Sequence, residues 1–137
     1  MGLDNGVQMK IKRNEKIPYT FVNLAVESFY SDEESNELVF DVLYWRKWWG
    51  MRNAFMNHLE SKYGYDLGRY QLDTDDVTEL IFIFDKYTDK DHWDNDYWEY
   101  EDNIEKIRHD IEMLKEIRFF MREHHDTPVR FEFYDSY

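Results

Sequence analysis

Between Leu38 and Tyr63, apolar side chains recur every three, four or seven positions, at Leu38, Val42, Trp45, Trp49, Met56, Leu59 and Tyr63. Arg52 is the one break in the row. Side chains of an α-helix return to the same face about every 3.6 residues, so this spacing lines up one stripe. A second row, Val39, Leu43, Trp48, Met51 and Phe55, widens the stripe. Asp41, Arg46, Lys47, Asn53, Asn57 and Glu60 are left for the opposite side. The pattern predicts a long Trp-rich central helix over 38–63, about seven turns, with other elements packed on two sides.

The remaining elements are read the same way. The opening MGLDNGVQ has two glycines and no periodicity and reads as a loose end. Val7, Met9 and Ile11 alternate with Gln8, Lys10 and Lys12, a short strand pattern. TFVNLAVESFY at 20–30 fits either a helix, through Phe21, Leu24 and Ala25, or a strand, through its β-branched and aromatic content, which tips it towards strand. Ser31 and Glu34 have capping-box spacing. Gly50, inside the long stripe, either marks a close crossing or a kink or is simply tolerated there; Gly64 and Gly68 end the helix. Asp73 or Thr74 caps a second helix whose apolar face is Val77, Leu80, Ile81 and Phe84. A loop over 89–98 leads to a third helix over 97–124, with Ile104, Ile107, Ile111, Leu114, Arg118 and Met121 repeating at three and four. Pro128 stops it, and Val129, Phe131 and Phe133 alternate into a last strand. The expected fold is one α+β domain over 1–137: three helices with a small antiparallel sheet in which the N- and C-terminal strands pair.

Composition adds burial and excludes some partners. Aromatic residues make up 19% of the chain, enough ring surface to build a core despite 34% charged residues. The formal net charge is −13, which repels phosphate backbones and anionic lipid, so direct nucleic-acid or membrane binding is not expected. No apolar run is long enough to span a bilayer and no leader pattern opens the chain, which reads as cytoplasmic. With no cysteine, disulfides and thiolate chemistry are ruled out.

The charge is concentrated. Residues 89–103 carry seven acids, Asp89, Asp91, Asp94, Asp96, Glu99, Glu101 and Asp102, against one lysine. Trp93, Tyr97, Trp98 and Tyr100 are interleaved with them. Crowded carboxylates repel one another, and a basic partner would relieve this, with Trp93, Tyr97 and Trp98 as desolvated anchors. The blander alternative is a solvated loop whose acids complement a helix start and whose rings turn inward. Asp89-x-Asp91 and Asp94-x-Asp96 resemble pieces of a calcium loop, but the glycine and terminal glutamate do not align. Glu105 and His109 share a helix face but lack di-iron spacing, so no metal or cofactor is expected. Arg46, Lys47 and Arg52 form a basic patch that either binds an anion or pairs internally with Asp41, Glu37 or acids from the other helices.

From Tyr44-Trp45-Arg46-Lys47 onward the chain resembles a family of small uncharacterised bacteriophage and prophage proteins with a Tyr-Trp-Arg-Lys helix. The likeness runs through Phe55, YDLGRYQLDTDDVTEL (65–80), DNDYWEYEDNI (94–104) and FEFYDSY (131–137), covering 38–137. Arg52 and Ala54 stand where that family carries a histidine and a tryptophan, and Leu67 where cysteine is common. The departures argue against a shared His/Cys site. The resemblance implies a phage setting and no specific chemistry.

Together these readings predict a non-enzymatic, acidic, phage-encoded inhibitor acting in the host cytoplasm. It would bind a host protein with a basic surface, such as a defence nuclease or CRISPR effector, by mimicking nucleic acid through 89–103. Two alternatives remain. A small metal-dependent hydrolase requires an inward cluster of histidine and carboxylate, and a phage assembly protein would use the exposed part of the Trp-rich helix.

Overall fold

A computed structural model describes residues 3–12, 29–32 (backbone only), 36–64, 68–95, 98–126 and 128–136. Strands β1 (Asp4–Lys12), β2 (Phe29–Asp32) and β3 (Glu37–Arg46) come first, then helix α1 (Trp49–Tyr63). Strand β4 (Arg69–Gln71), helices α2 (Thr74–Lys86) and α3 (Tyr100–Glu123), and strand β5 (Arg130–Ser136) complete the order. The strands form one antiparallel sheet in the order β2-β3-β1-β5-β4, so the fold is α+β with three helices among the described residues. The first and last strands pair as expected, with Val7 opposite Phe133 and Met9 opposite Phe131.

The long helix read over 38–63 is a strand for its first third. β3 runs against β1 with Leu38 opposite Ile11, Phe40 opposite Met9, Leu43 opposite Val7 and Trp45 opposite Asn5. A shift of register between Val7 and Gln8 leaves Val42 as an extra residue, a β-bulge on β3. The bulge flips the parity of everything after it, so core-facing positions run 38, 40, 43, 45 rather than strictly every second residue. Val39 and Val42 are buried too. A strand apolar on both faces, with its alternation broken by a bulge, carries the three- and four-residue spacings of a helix. β1 also begins earlier than the loose end read at 1–8. Leu3 is buried, its carbonyl accepts from Lys47 N–H at 2.7 Å, and strands on both sides pair β1 from Asp4. Ser31 lies in β2; Glu34 and most of 20–30 fall outside the described residues.

The chain turns from β3 into α1 at Lys47, whose φ of 58° lies in the left-handed region. α1 then packs on the sheet with Phe55 edge-on to Phe133 (centroids 4.9 Å), α3 does so with Phe120 against Phe131 (6.1 Å), and α2 contacts both of these helices. α2 closes the layer, and Trp48, fully buried, sits among Trp45, Phe84, Tyr87 and Trp93. α1 ends at Gly64, whose φ of 99° suits a residue without Cβ. α2 opens with a capping box: the Asp73 side chain accepts from Asp76 N–H, and the Asp76 side chain from Asp73 N–H, at 3.0 Å each.

Candidate partner-binding face

The acidic stretch joins α2 to α3. Thr88 closes the end of α2 by bonding to the Asp85 carbonyl, and the Asp89 carboxylate accepts from Asp91 N–H at 3.0 Å to start a single 3-10 turn over Lys90–His92. Trp93 then turns inward, with its ring 5.7 Å from those of both Trp48 and Tyr100. Its indole N–H donates to the Trp98 carbonyl at 2.8 Å. Trp98 is partly buried against the core and donates its own indole N–H to the Arg46 carbonyl. The Tyr100 hydroxyl donates to the Thr88 carbonyl at 2.6 Å. Trp93 and Trp98, expected as contacts for a partner, are therefore committed to holding the loop on the domain. Large rings bury more area inward than a loop surface offers them. Tyr97 and Asp96 lie outside the described residues.

The carboxylates divide into two groups. Asp94, although largely exposed, leans over the first turn of α1. Its Oδ2 accepts from the Tyr87 hydroxyl at 2.9 Å, and a Cβ on Gly50 would fall 2.0 Å from that same oxygen. A helix start presents unbonded N–H groups and partial positive charge, and α1 has no side-chain cap from Trp48, so a carboxylate here is favoured. Burial and the bond to Asp94 raise the Tyr87 phenol above its ordinary range. Glu101 pairs with Lys90 at the surface, which lowers the carboxyl and raises the ammonium. Asp89, Asp91, Glu99 and Asp102 point outward, and Glu99 and Asp102 make no ion pair among the described residues.

The basic patch is spread over three elements. Arg52, on α1, holds Asp135 of β5 through Nε (3.1 and 3.2 Å) and a terminal nitrogen (2.8 Å). This fork on a fully buried carboxylate side chain makes Arg52 structural. Arg46, at the end of β3, stands 4.0 Å from Asp4, and Lys47 forms the turn. Of the patch, Arg52 is thus met by Asp135 and Arg46 by Asp4. Asp41 accepts from Gln8 on the sheet's other face, where Glu37 pairs with Arg130.

Two buried carboxylates were not legible as partners of distant residues. Asp76, fully buried, accepts from His58 Nε2 or Lys62 Nζ at Oδ1 (2.7 and 3.1 Å) and from the Tyr63 hydroxyl at Oδ2 (2.6 Å), besides its capping bond. Burial and that hydrogen bond push the Tyr63 phenol up to about 12. Asp110 on α3 accepts from Trp45 Nε1 (2.7 Å) and Lys106 Nζ (2.8 Å), while the Lys106 ammonium lies 3.8 Å from the Trp45 ring centre. Burial pushes the Asp110 carboxyl up and the Lys106 ammonium down. The inward His–carboxylate pair that a hydrolase would need is found at His58–Asp76 and not at Glu105–His109. Glu105 is exposed and bonded to Arg108 at 2.9 Å. Both oxygens of Asp76 are already taken up in tying α1 to α2. Among the described residues no group of three or more His, Cys, Asp or Glu is placed to hold a metal ion, and no helix is long and apolar enough to cross a membrane. Of the tryptophans read on the long helix, Trp45 and Trp48 are buried and Trp49 is half exposed.

Comparison of the chain with protein-family models, curated proteins and solved structures finds no match.

Proposed function

We propose that this protein is a non-catalytic binding protein whose acidic face occupies a basic, nucleic-acid-binding surface on another protein. In the phage setting implied by the resemblance, the target would be a host defence protein such as a nuclease or CRISPR effector. The observation that supports this reading most is the anchoring of the segment that carries the acids. Asp89, Asp91, Glu99 and Asp102 project from a loop and helix start that Trp93, Trp98 and Tyr100 pin to the core. Anchoring by these three side chains lowers the conformational entropy that binding must remove from the segment. Charges on a floppy loop would give steering without register.

The test uses wild type and a variant carrying Asp89→Asn, Asp91→Asn, Glu99→Gln and Asp102→Asn as bait in host lysate, at low and high salt. The expected result is a nucleic-acid-binding protein retained by wild type, lost to the variant, released by salt, and inhibited in nucleic-acid binding by wild type when purified. Retention of the same proteins by both baits would overturn the reading.

A further inference from the structure

If Trp93 and Trp98 face inward, an acidic binding face still needs apolar anchors, because exposed charge pairs alone contribute little affinity. The most exposed large apolar side chains among the described residues are Phe82 on α2 (71%) and Phe119 on α3 (62%). Both point away from the core formed by Val77, Leu80 and Phe84 on one helix and Ile107, Leu114 and Ile117 on the other. They stand on two helices that pack against each other. Thr78, one turn before Phe82, accepts at 3.1 Å from Arg118, the neighbour of Phe119, so the two helices are bridged at that level. α2 then runs from Phe82 towards Asp85 and Asp89, the near end of the acidic stretch.

We infer that the outer face of the α2–α3 pair is the docking surface, and that its occupant is a basic amphipathic segment of the partner protein. Its apolar side chains would cover Phe82 and Phe119, and its lysines or arginines would reach the acids around them. Charge chooses this occupant. Asp75 and Asp85 on α2 and Glu101, Asp102, Glu105, Glu112, Glu116 and Glu123 on α3 outnumber Lys86, Lys106, Arg108, Lys115 and Arg122 among the exposed residues of the two helices, and half-buried Glu79 and Arg118 offset each other. Arg108 and Lys115 are already paired with Glu105 and Glu112. A second copy of a chain with net charge −13 would be repelled, and so would an anionic membrane. Apolar anchors in an acidic frame are the complement of a basic amphipathic helix. This assignment rests on the acidic-face reading above and names its contact surface.

The probe is a synthetic amphipathic helix of leucine and lysine, compared with a peptide in which serine replaces every leucine. Affinity is measured for wild type, for Phe82→Ser with Phe119→Ser, and for the four-carboxylate variant described above. Wild type is expected to bind the leucine–lysine peptide, and the double serine variant to lose roughly tenfold or more of that affinity. The same variant should leave the weak binding of the serine–lysine peptide unchanged. Both phenylalanines are exposed, so circular dichroism and urea midpoints should stay at wild-type values. Failure of wild type to bind the peptide, or equal affinity for the serine variant, overturns the docking surface. Should only the carboxylate variant lose affinity, the acidic-face reading stands without it; loss in neither variant sinks both. Concentration-dependent dimerisation by light scattering that Phe82→Ser abolishes, or tighter binding to phosphatidylserine vesicles than to the peptide, would assign the face to another occupant and overturn the proposal.

Discussion

Substituting alanine for glycine in a helix ordinarily stabilises it by about 0.5–1 kcal/mol. Gly50→Ala should do the reverse here. The new Cβ would fall 2.0 Å from Asp94 Oδ2 and 2.6 Å from the other two carboxyl atoms, so the carboxylate must leave the first turn of α1. Its departure removes the 2.9 Å bond from Tyr87. For a part-buried bond to a charged group that loss is about 1.5 kcal/mol, the lower end of the usual range. Moving the anion off the helix start adds about 0.5 kcal/mol. Subtracting the gain in helix propensity leaves a net destabilisation of roughly 1–1.5 kcal/mol. Asp94→Ala alone should cost about 2 kcal/mol for the same two losses. With Asp94 already gone, Gly50→Ala should recover its ordinary sign and stabilise by about 0.5–1 kcal/mol. Urea denaturation of the four proteins, read as midpoint shifts at constant slope, closes the cycle with a coupling of about 2 kcal/mol. A stabilising Gly50→Ala in the wild-type background would refute the placement of Asp94.

Two further predictions concern the carboxylates that join elements. Asp76→Ala should destabilise by about 3 kcal/mol, because three side chains and the Asp73 N–H lose a buried acceptor at once. In the same variant the Tyr63 phenol should return from about 12 towards its ordinary 10.0, read by NMR titration of ring-labelled tyrosine. An unchanged Tyr63 titration would contradict the 2.6 Å contact. Burial raises the Asp73 and Glu132 carboxyls, but Lys62 at Asp73, and Arg130 and Lys10 at Glu132, outweigh it and hold both below their ordinary values of 3.8 and 4.5. Their stabilisation is therefore present above about pH 5 and is lost as pH falls through the lowered values. Lys62→Met should weaken the protein at neutral pH and make the acid limb of the stability curve shallower. An acid limb as steep as that of wild type would show that Asp73 is not held by Lys62.

What could be read directly from the sequence is what depends on local periodicity and end chemistry. α2 begins where Asp73 can cap it, α3 follows its three- and four-residue apolar repeat, and β5 alternates. The antiparallel pairing of β1 with β5 was legible because the alternating runs at the two chain ends are the clearest strand patterns in the sequence. Likewise, the concentration of charge over 89–103 is a property of composition that no fold alters.

Tertiary structure alone decided the rest. Whether 37–46 is helix or strand depends on a bulge and on pairing with two neighbouring strands, and neither the bulge nor the pairing leaves a local signature. Which acids are free depends on what lies across from them. Asp94 is taken by α1 and Tyr87, Asp135 by Arg52, Asp110 by Trp45 and Lys106, and Asp76 by His58, Lys62 and Tyr63. In sequence those partners are separated by 7 to 83 positions for the hydrogen-bonded pairs, except Lys106 four residues before Asp110. Likewise, an aromatic residue in an acidic loop is equally able to face a partner or the core. The direction of Trp93 and Trp98 inward, and of Phe82 and Phe119 outward, is set by which surfaces the packed layers had room to cover.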